Sequence, residues 1–312
     1  MSGLFLGVDT SNYTTSVACV SEEGIVFERR TMLSVAFGER GLRQSDAVFQ
    51  HVRNLPPLID ALFADIDRTR VCAVGVSAKP TSAEASYMPV FLAGKLAASS
   101  VANALQVPLL ETTHQSGHVR AAMFGNEQKL ANESFLAMHL SGGTTDLLKV
   151  TTAAGMIDEI ERIGFSDDLH AGQFVDRVGV QMGLPFPCGP ALEGLALLAN
   201  DQTLRLPSSV KGLVCSFSGM EAQAMRLLAG GAERKTVAYA VYDAMAHTVA
   251  KMLLSAIERT GLNTILLSGG VSGSSLLREL LHARLKTDVL YARQGLSSDN
   301  AVGVALLAKD LS

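Results

Sequence analysis

The feature that most constrains this chain is a module that occurs three times. A short apolar strand runs into a turn of glycines and hydroxyl residues at positions 4–11, 136–146 and 264–273. The first two turns lead into another strand and so open a hairpin, whereas the third opens a helix. Repetition of one unit predicts two related lobes around a cleft. Glycine has no Cβ to keep an anion away, so such turns offer backbone N–H groups and small hydroxyls to phosphate oxygens. One glycine-rich turn is ordinary punctuation. Three in matching positions weigh against plain punctuation and toward phosphate binding.

Between the turns, strands alternate with helices. Helical periodicity covers residues 45–66, where Pro56 and Pro57 are expected to kink or split the helix. A strand at 71–77, a helix at 89–105 and a strand at 107–111 follow. Further helices are expected at 172–184, 190–200, 234–259 and 275–285, with a closing helix from Asp299. This alternation predicts an α/β fold with a largely parallel sheet. The lobes divide at residues 1–125, completed by a closing segment 295–312, and 126–294.

Composition removes several function classes. The 312 residues are 48% hydrophobic and 18% charged, enough to fill a sizeable core. A net charge of −4 argues against nucleic-acid binding through charge alone, and 5% aromatics without tryptophan argue against a base-stacking platform. The cysteines Cys19, Cys72, Cys188 and Cys215 form no CxxC pair, which predicts a reducing, cytoplasmic location without a disulfide framework. The N-terminus lacks the basic region of a signal peptide. Residues 90–110 are interrupted by Lys95, Ser99, Ser100 and Asn103, so no membrane association is expected. No GxGxxG, P-loop or GxSxG is present.

A metal candidate lies at His114 and His118, which share one face if helical. The spacing suits two ligands of one transition metal. It lacks the glutamate of HExxH, which removes the general base of a zinc peptidase. Asp299 is a candidate third ligand, with helix N-cap or first-turn residue as the other reading. Asp9, at the end of the first strand, either positions metal-bound water or caps the turn. His51, His139, His170, His247 and His282 have no partner pattern and read as structural.

The ordered set Gly7-Val-Asp-Thr-Ser11, His114-x-x-x-His118, Ser141-Gly-Gly-Thr-Thr145, Ser216-Phe-Ser-Gly219, Ser268-Gly-Gly-Val271 and Ser298-Asp-Asn-Ala301 resembles the TsaD family. Asp176, Gly183-Leu-Pro-Phe-Pro187 and Gly189-Pro-Ala-Leu-Glu193 extend the match along nearly the whole chain. The family's older label is O-sialoglycoprotein endopeptidase.

The resemblance implies an actin-like ATPase fold, with two ribonuclease H-like lobes around a nucleotide cleft. It implies that His114, His118 and Asp299 hold iron or zinc. Ser141, Gly142, Gly143, Thr144, Thr145, Asp176 and Gly189 would then contact the nucleotide-linked substrate, with Gly269, Gly270 and Ser274 near the adenosine. Asp9 and Asp176 are the catalytic candidates. The implied cofactors are one divalent metal and an ATP- or AMP-type nucleotide, with magnesium as a companion ion. The implied reaction moves a threonylcarbamoyl group from threonylcarbamoyl-AMP to N6 of adenosine 37 in tRNA. TsaB-like and TsaE-like proteins are the implied partners, tRNA would be met through a complex, and a homo- or heterodimer is expected.

The departures are specific. Ala78-Lys79-Pro80-Thr81 stands where the family has a Gly-Pro-Gly turn, and Thr144 where it has histidine. Gln173 replaces a glutamate, Ser274 an asparagine, and Asn12-Tyr13 a Cys-Asp pair. A metal triad kept within an altered surrounding describes a divergent paralogue. Three alternatives follow: a non-catalytic TsaB-like partner, a small-molecule O-carbamoyltransferase, and, weakest, a metallopeptidase.

Overall fold

The computed structural model describes residues 2–11, 13–36, 41–131 and 133–312. The departure at Asn12 lies outside them. The chain forms two compact units. The first comprises residues 1–34, 42–126 and 292–312, and the second residues 35–41 and 127–291.

In the first unit, β1 (Leu4–Asp9), β2 (Thr14–Ser21) and β3 (Gly24–Met32) form an antiparallel meander. After α1 (Gln44–Asp65), β4 (Val71–Lys79) pairs parallel with β1. After α2 (Phe91–Leu105), β5 (Leu109–Thr113) pairs parallel with β4 and runs straight into α3 (His114–Met123). The spatial order is β3-β2-β1-β4-β5. Leu4, Leu6, Val8, Val17, Val74 and Val76 of the sheet pack with Leu55, Leu58 and Leu62 of α1 and with Ala93, Ala98 and Ala102 of α2.

A closing helix, Val302–Asp310, lies against the same sheet. Glycine permits its approach: a Cβ on Gly7 would fall 2.6 Å from Ala305 N, and one on Gly75 would fall 2.7 Å from Val304 O. The closing helix also touches α3, where a Cβ on Gly303 would collide with the Gly117 backbone.

The expected break at Pro56 and Pro57 is not found; α1 is continuous with both prolines inside it. His51, Leu55, Leu58 and Leu62 form its buried stripe, whereas Val52, Arg53, Pro56 and Pro57 face solvent. The carbonyls that lose a helical donor therefore remain open to water, which lowers the cost of proline there.

The second unit starts with the short helix α4 (Glu127–Leu130) and the meander β6 (Ser134–Leu140), β7 (Thr145–Ala153) and β8 (Met156–Ser166). Helices α5 (Ala171–Gln181) and α6 (Gly189–Ala196) follow, then the hairpin β9 (Ser209–Lys211) and β10 (Val214–Ser216). Next come α7 (Ser218–Ala229), α8 (Arg234–Thr260), β11 (Ile265–Ser268), α9 (Ser275–His282) and β12 (Val289–Tyr291). The sheet order is β12-β11-β6-β7-β8-β10-β9. Its core joins Leu136, Met138 and Leu140 of β6 to Val237, Val241, Met245 and Val249 of α8.

The three sequence modules are thus β1, β6 and β11 with the turns that follow them. The expectation of a largely parallel sheet is corrected: both sheets are mixed, because each carries an antiparallel meander. Among the described residues, no helix is long and apolar enough to cross a membrane.

Candidate functional site

In the first unit, β5 passes directly into α3, whose N-cap is Thr113; the Thr113 hydroxyl accepts the Ser116 N–H at 3.0 Å. His114 and His118 lie one helical turn apart, and their Nε2 atoms approach to 3.0 Å. Asp299 Oδ1 lies 3.2 Å from His118 Nε2 and 3.7 Å from His114 Nε2. The ligand atoms of all three residues lie within 4.8 Å of one another.

Asp9 completes the cluster from the end of β1. Its Oδ2 accepts from the Ser77 hydroxyl at 2.6 Å and from His114 Nδ1 at 2.9 Å, and its Oδ1 accepts the Ser11 N–H at 2.7 Å. An ionised carboxylate only accepts hydrogen bonds, so His114 carries its proton on Nδ1 and turns its Nε2 lone pair toward His118 and Asp299. Asp9 was expected as a catalytic group. It is instead buried with both oxygens engaged, so it caps the turn and positions His114.

The electrostatics follow from this packing. Burial works against ionisation of Asp9, yet the His114 charge and the donors His114, Ser11 and Ser77 hold its carboxyl well below the usual range. Burial also opposes a charged His114, but Asp9 and Asp299 outweigh it and raise the pKa. His118 is lowered, by burial first and then by the His114 charge. Asp299 is lowered against burial by the hydrogen bond to His118 and by both imidazoles.

Two imidazole nitrogens and a carboxylate oxygen thus crowd around one point, and without a cation or a shared proton their lone pairs repel. A neutral-nitrogen and carboxylate donor set suits iron or zinc. The chain's residues fit the metal that the sequence implies, and Asp9 supplies the carboxylate–histidine support typical of such ligands.

Asp299 does not start a helix, as one reading had it. It precedes the closing helix by three residues; Ala301 is the N-cap, and Asn300, just before it, accepts the Val302 N–H on its Oδ1 at 3.0 Å. The Asn300 amide donates to the carbonyls of Leu296 at 3.1 Å and Ser298 at 2.8 Å, which folds the loop around Asp299.

The nucleotide candidates lie in the second unit. In the turn between β6 and β7, the Ser141 hydroxyl accepts N–H groups of Gly143 at 3.3 Å and Thr144 at 3.1 Å. The Thr145 hydroxyl accepts the Ala171 N–H at 2.8 Å, and the Gly172 N–H donates to the Ser141 carbonyl at 3.0 Å. A Cβ on Gly172 would fall 2.7 Å from Gly142 N, so that glycine lets the start of α5 sit on the turn. Ser141 and Thr145 therefore build the turn with their hydroxyls, while Gly142 and Thr144 remain partly accessible and Gly143 is exposed.

Asp176, expected as catalytic, accepts the Cys188 N–H at 2.7 Å and so anchors the loop entering α6 at Gly189. Burial raises its pKa to about 6, against the lowering effect of that bond. The Gly189 carbonyl accepts from the Tyr242 hydroxyl at 3.0 Å. Gly269, at the end of β11, has φ +87°, and a Cβ there would fall 2.9 Å from Leu140 N. Gly270 borders open space. Ser274 caps α9 by accepting the Leu277 N–H at 3.1 Å, so its hydroxyl is already engaged.

Sequence reasoning missed Ser77, Asn300 and Arg30 as neighbours of the candidate metal ligands. Asn300 stood beside Asp299 in a quoted motif, whereas nothing local distinguishes Ser77 or Arg30. His51 and His139, read as structural, are buried and hydrogen-bonded: His51 Nδ1 pairs with the Thr15 hydroxyl at 2.8 Å and His139 Nδ1 with the Ser268 hydroxyl at 3.2 Å.

Solved structures share this architecture. An activator of 2-hydroxyisocaproyl-CoA dehydratase from Clostridium difficile, with bound ADPNP, matches at TM-score 0.58 and 14% identity, covering 100% of this chain and 95% of its own. A ROK family glucokinase from Streptomyces griseus, in complex with glucose and AMPPNP, matches at TM-score 0.55 and 14% identity over 99% of this chain and 100% of its own. HypF from T. kodakarensis matches at TM-score 0.62 and 15% identity; 99% of this chain corresponds to 47% of that one. At such identities the likeness shows the fold, which is that of the actin-like ATPases. The sequence model of one family, described as tRNA N6-adenosine threonylcarbamoyltransferase, matches residues 30–306, and this chain belongs to that family, TsaD.

Proposed function

We propose that this protein transfers a threonylcarbamoyl group from threonylcarbamoyl-AMP to N6 of adenosine 37 in tRNA. The observation that carries the reading is the convergence of His114, His118 and Asp299 on one point, with Asp9 behind His114, in a member of a transferase family. A scaffold that only paired with an active relative would have no use for that cluster.

In this reading His114, His118 and Asp299 hold one divalent ion, iron or zinc. When bound, the ion supplies Lewis acidity toward the donor's carbonyl or phosphate oxygens. Asp9 keeps the His114 proton on Nδ1 and its Nε2 free to ligate. In the second unit, the accessible turn at Gly142 and Gly143 and the open backbone at Gly270 would take the phosphate and nucleoside of the donor, with magnesium as a companion ion. Asp176 and Tyr242 fix Gly189 at the start of α6. In the transfer, N6 of the adenine attacks the carbamoyl carbon and forms a C–N bond. The bond from that carbon to the AMP oxygen breaks, AMP leaves, and the N6 proton passes to solvent. The protein acts in the cytoplasm, as a dimer or with TsaB-like and TsaE-like partners that bring tRNA.

A second reading keeps the donor and changes the acceptor to a small hydroxylated molecule. It is favoured by Ala78-Lys79-Pro80-Thr81 in place of the family's glycine turn and by the net charge of −4.

The test supplies metal-loaded protein with threonylcarbamoyl-AMP, with and without unmodified tRNA, and follows AMP release and nucleoside composition by mass spectrometry. Threonylcarbamoyladenosine in the tRNA is the expected product. Carbamoyl transfer to small alcohols, without tRNA modification, would replace the first reading by the second. No AMP release under any condition, with partner proteins present, would leave a non-catalytic member of the family.

A further inference from the structure

Arg30 lies on the edge strand β3, 269 residues before Asp299 in the sequence. Its Nη1 donates to the Ser298 hydroxyl at 2.7 Å and to the backbone carbonyl of Asp299 at 3.2 Å. On its other side, Nε pairs with Glu28 Oε1 at 3.2 Å, two residues back on the same strand face. The guanidinium is thus held in line between its own strand and the loop that carries Asp299. It is a planar fork fixed at both ends, a geometry that lysine cannot reproduce.

We propose that Arg30 is a positioning residue for the third metal ligand, acting through the backbone of Asp299. The inference rests on the reading of His114, His118 and Asp299 as a metal site. The two histidines need no such help. They ride on α3, one turn apart, and the Asp9 carboxylate fixes His114 from behind. Asp299 has no helix beneath it. It sits on a loop that Asn300 folds from within, through the Leu296 and Ser298 carbonyls. Arg30 ties that fold to the sheet from outside. With the Asp299 carbonyl fixed, only side-chain torsions separate its carboxylate from its position 3.2 Å from His118. Without Arg30 the loop must be ordered when the metal binds, and that entropy is subtracted from affinity. Because the residue touches the ligand's backbone and not its carboxylate, its removal weakens binding without removing a ligand.

The experiment compares wild type, Arg30→Gln, Arg30→Lys and Arg29→Gln as full chains. Zinc affinity is measured by competition with a chromophoric chelator, and cobalt(II) spectra report coordination. The proposal expects Arg30→Gln to weaken zinc binding by about 10–100-fold, the range seen when support behind a metal ligand is lost. Cobalt should still bind at saturation, with an altered ligand-field band. Arg30→Lys, which reaches one acceptor instead of two, should fall between. Arg29→Gln is the control; its side chain is exposed, pairs with Asp65 at 3.9 Å and lies over the Phe27 ring, away from Ser298 and Asp299. Equal zinc affinity and equal cobalt spectra in wild type and Arg30→Gln would overturn the proposal while leaving the metal site intact. Absence of zinc binding in the wild type would overturn the metal reading itself, and this inference with it.

Discussion

The Asp9 carboxylate, at the end of the first strand, holds the His114 imidazole by Nδ1 at 2.9 Å. One hydrogen bond thereby decides which nitrogen of His114 is available to a metal, and it joins a strand end to a helix start 105 residues further along. Asp9 is itself fixed by Ser77 and by the Ser11 backbone, so the proton on His114 is set by a rigid group.

Replacing Asp9 by Asn removes the negative charge and places an amide where two hydrogen bonds now arrive. Metal affinity is expected to fall by about 10–100-fold, as for other losses of carboxylate support behind a ligating histidine. Zinc titration of the two proteins checks this.

The buried ion pair of Arg120 and Asp310, at 2.5 and 3.1 Å, ties α3 to the end of the closing helix. Arg120→Met strands an uncompensated carboxylate and should cost about 3–5 kcal/mol in chemical denaturation. The double variant Arg120→Met with Asp310→Leu should recover much of that loss, because no charge is then left buried.

Much of this was legible in the sequence, and the rest was not, for physical reasons. Strand-plus-glycine turns and the four-residue spacing of His114 and His118 are local patterns, written within a few residues. The functions of Asp9, Ser77 and Arg30 depend on partners far along the chain, and no periodicity encodes them. Proline's local penalty was readable, but the solvent exposure that lets α1 continue through Pro56 and Pro57 comes from tertiary packing. Asp299 stays outside the closing helix because Asn300 folds the loop back on the Leu296 and Ser298 carbonyls.

Asp176 makes stability depend on pH. Its folded pKa, about 6, lies above the value near 4 of an unfolded aspartate, because burial disfavours its charge. The stabilisation is complete below pH 4 and is lost as pH rises through 6. Relative to Asp176→Asn, whose amide oxygen still accepts the Cys188 N–H, wild type should lose on the order of 2 kcal/mol between pH 4 and 7. Parallel denaturation profiles of the two proteins across that range would contradict this.

Two adjacent glycines should respond differently to alanine. Gly269 has φ +87° and backbone against its missing Cβ, so Gly269→Ala should destabilise the protein by about 1–3 kcal/mol. Gly270 faces open space, and Gly270→Ala should keep the wild-type melting temperature. Thermal melts of both variants compare the two.

The central claim, that His114, His118 and Asp299 form one metal site, is tested most directly by metal stoichiometry. Wild type and Asp299→Ala are purified side by side, loaded with zinc or iron(II) under reducing conditions, desalted and analysed by elemental mass spectrometry, with circular dichroism to confirm equal folding. The account predicts one tightly held ion per wild-type chain and a folded Asp299→Ala protein that loses its ion on desalting. Equal retention by both proteins, or none by wild type, would contradict it.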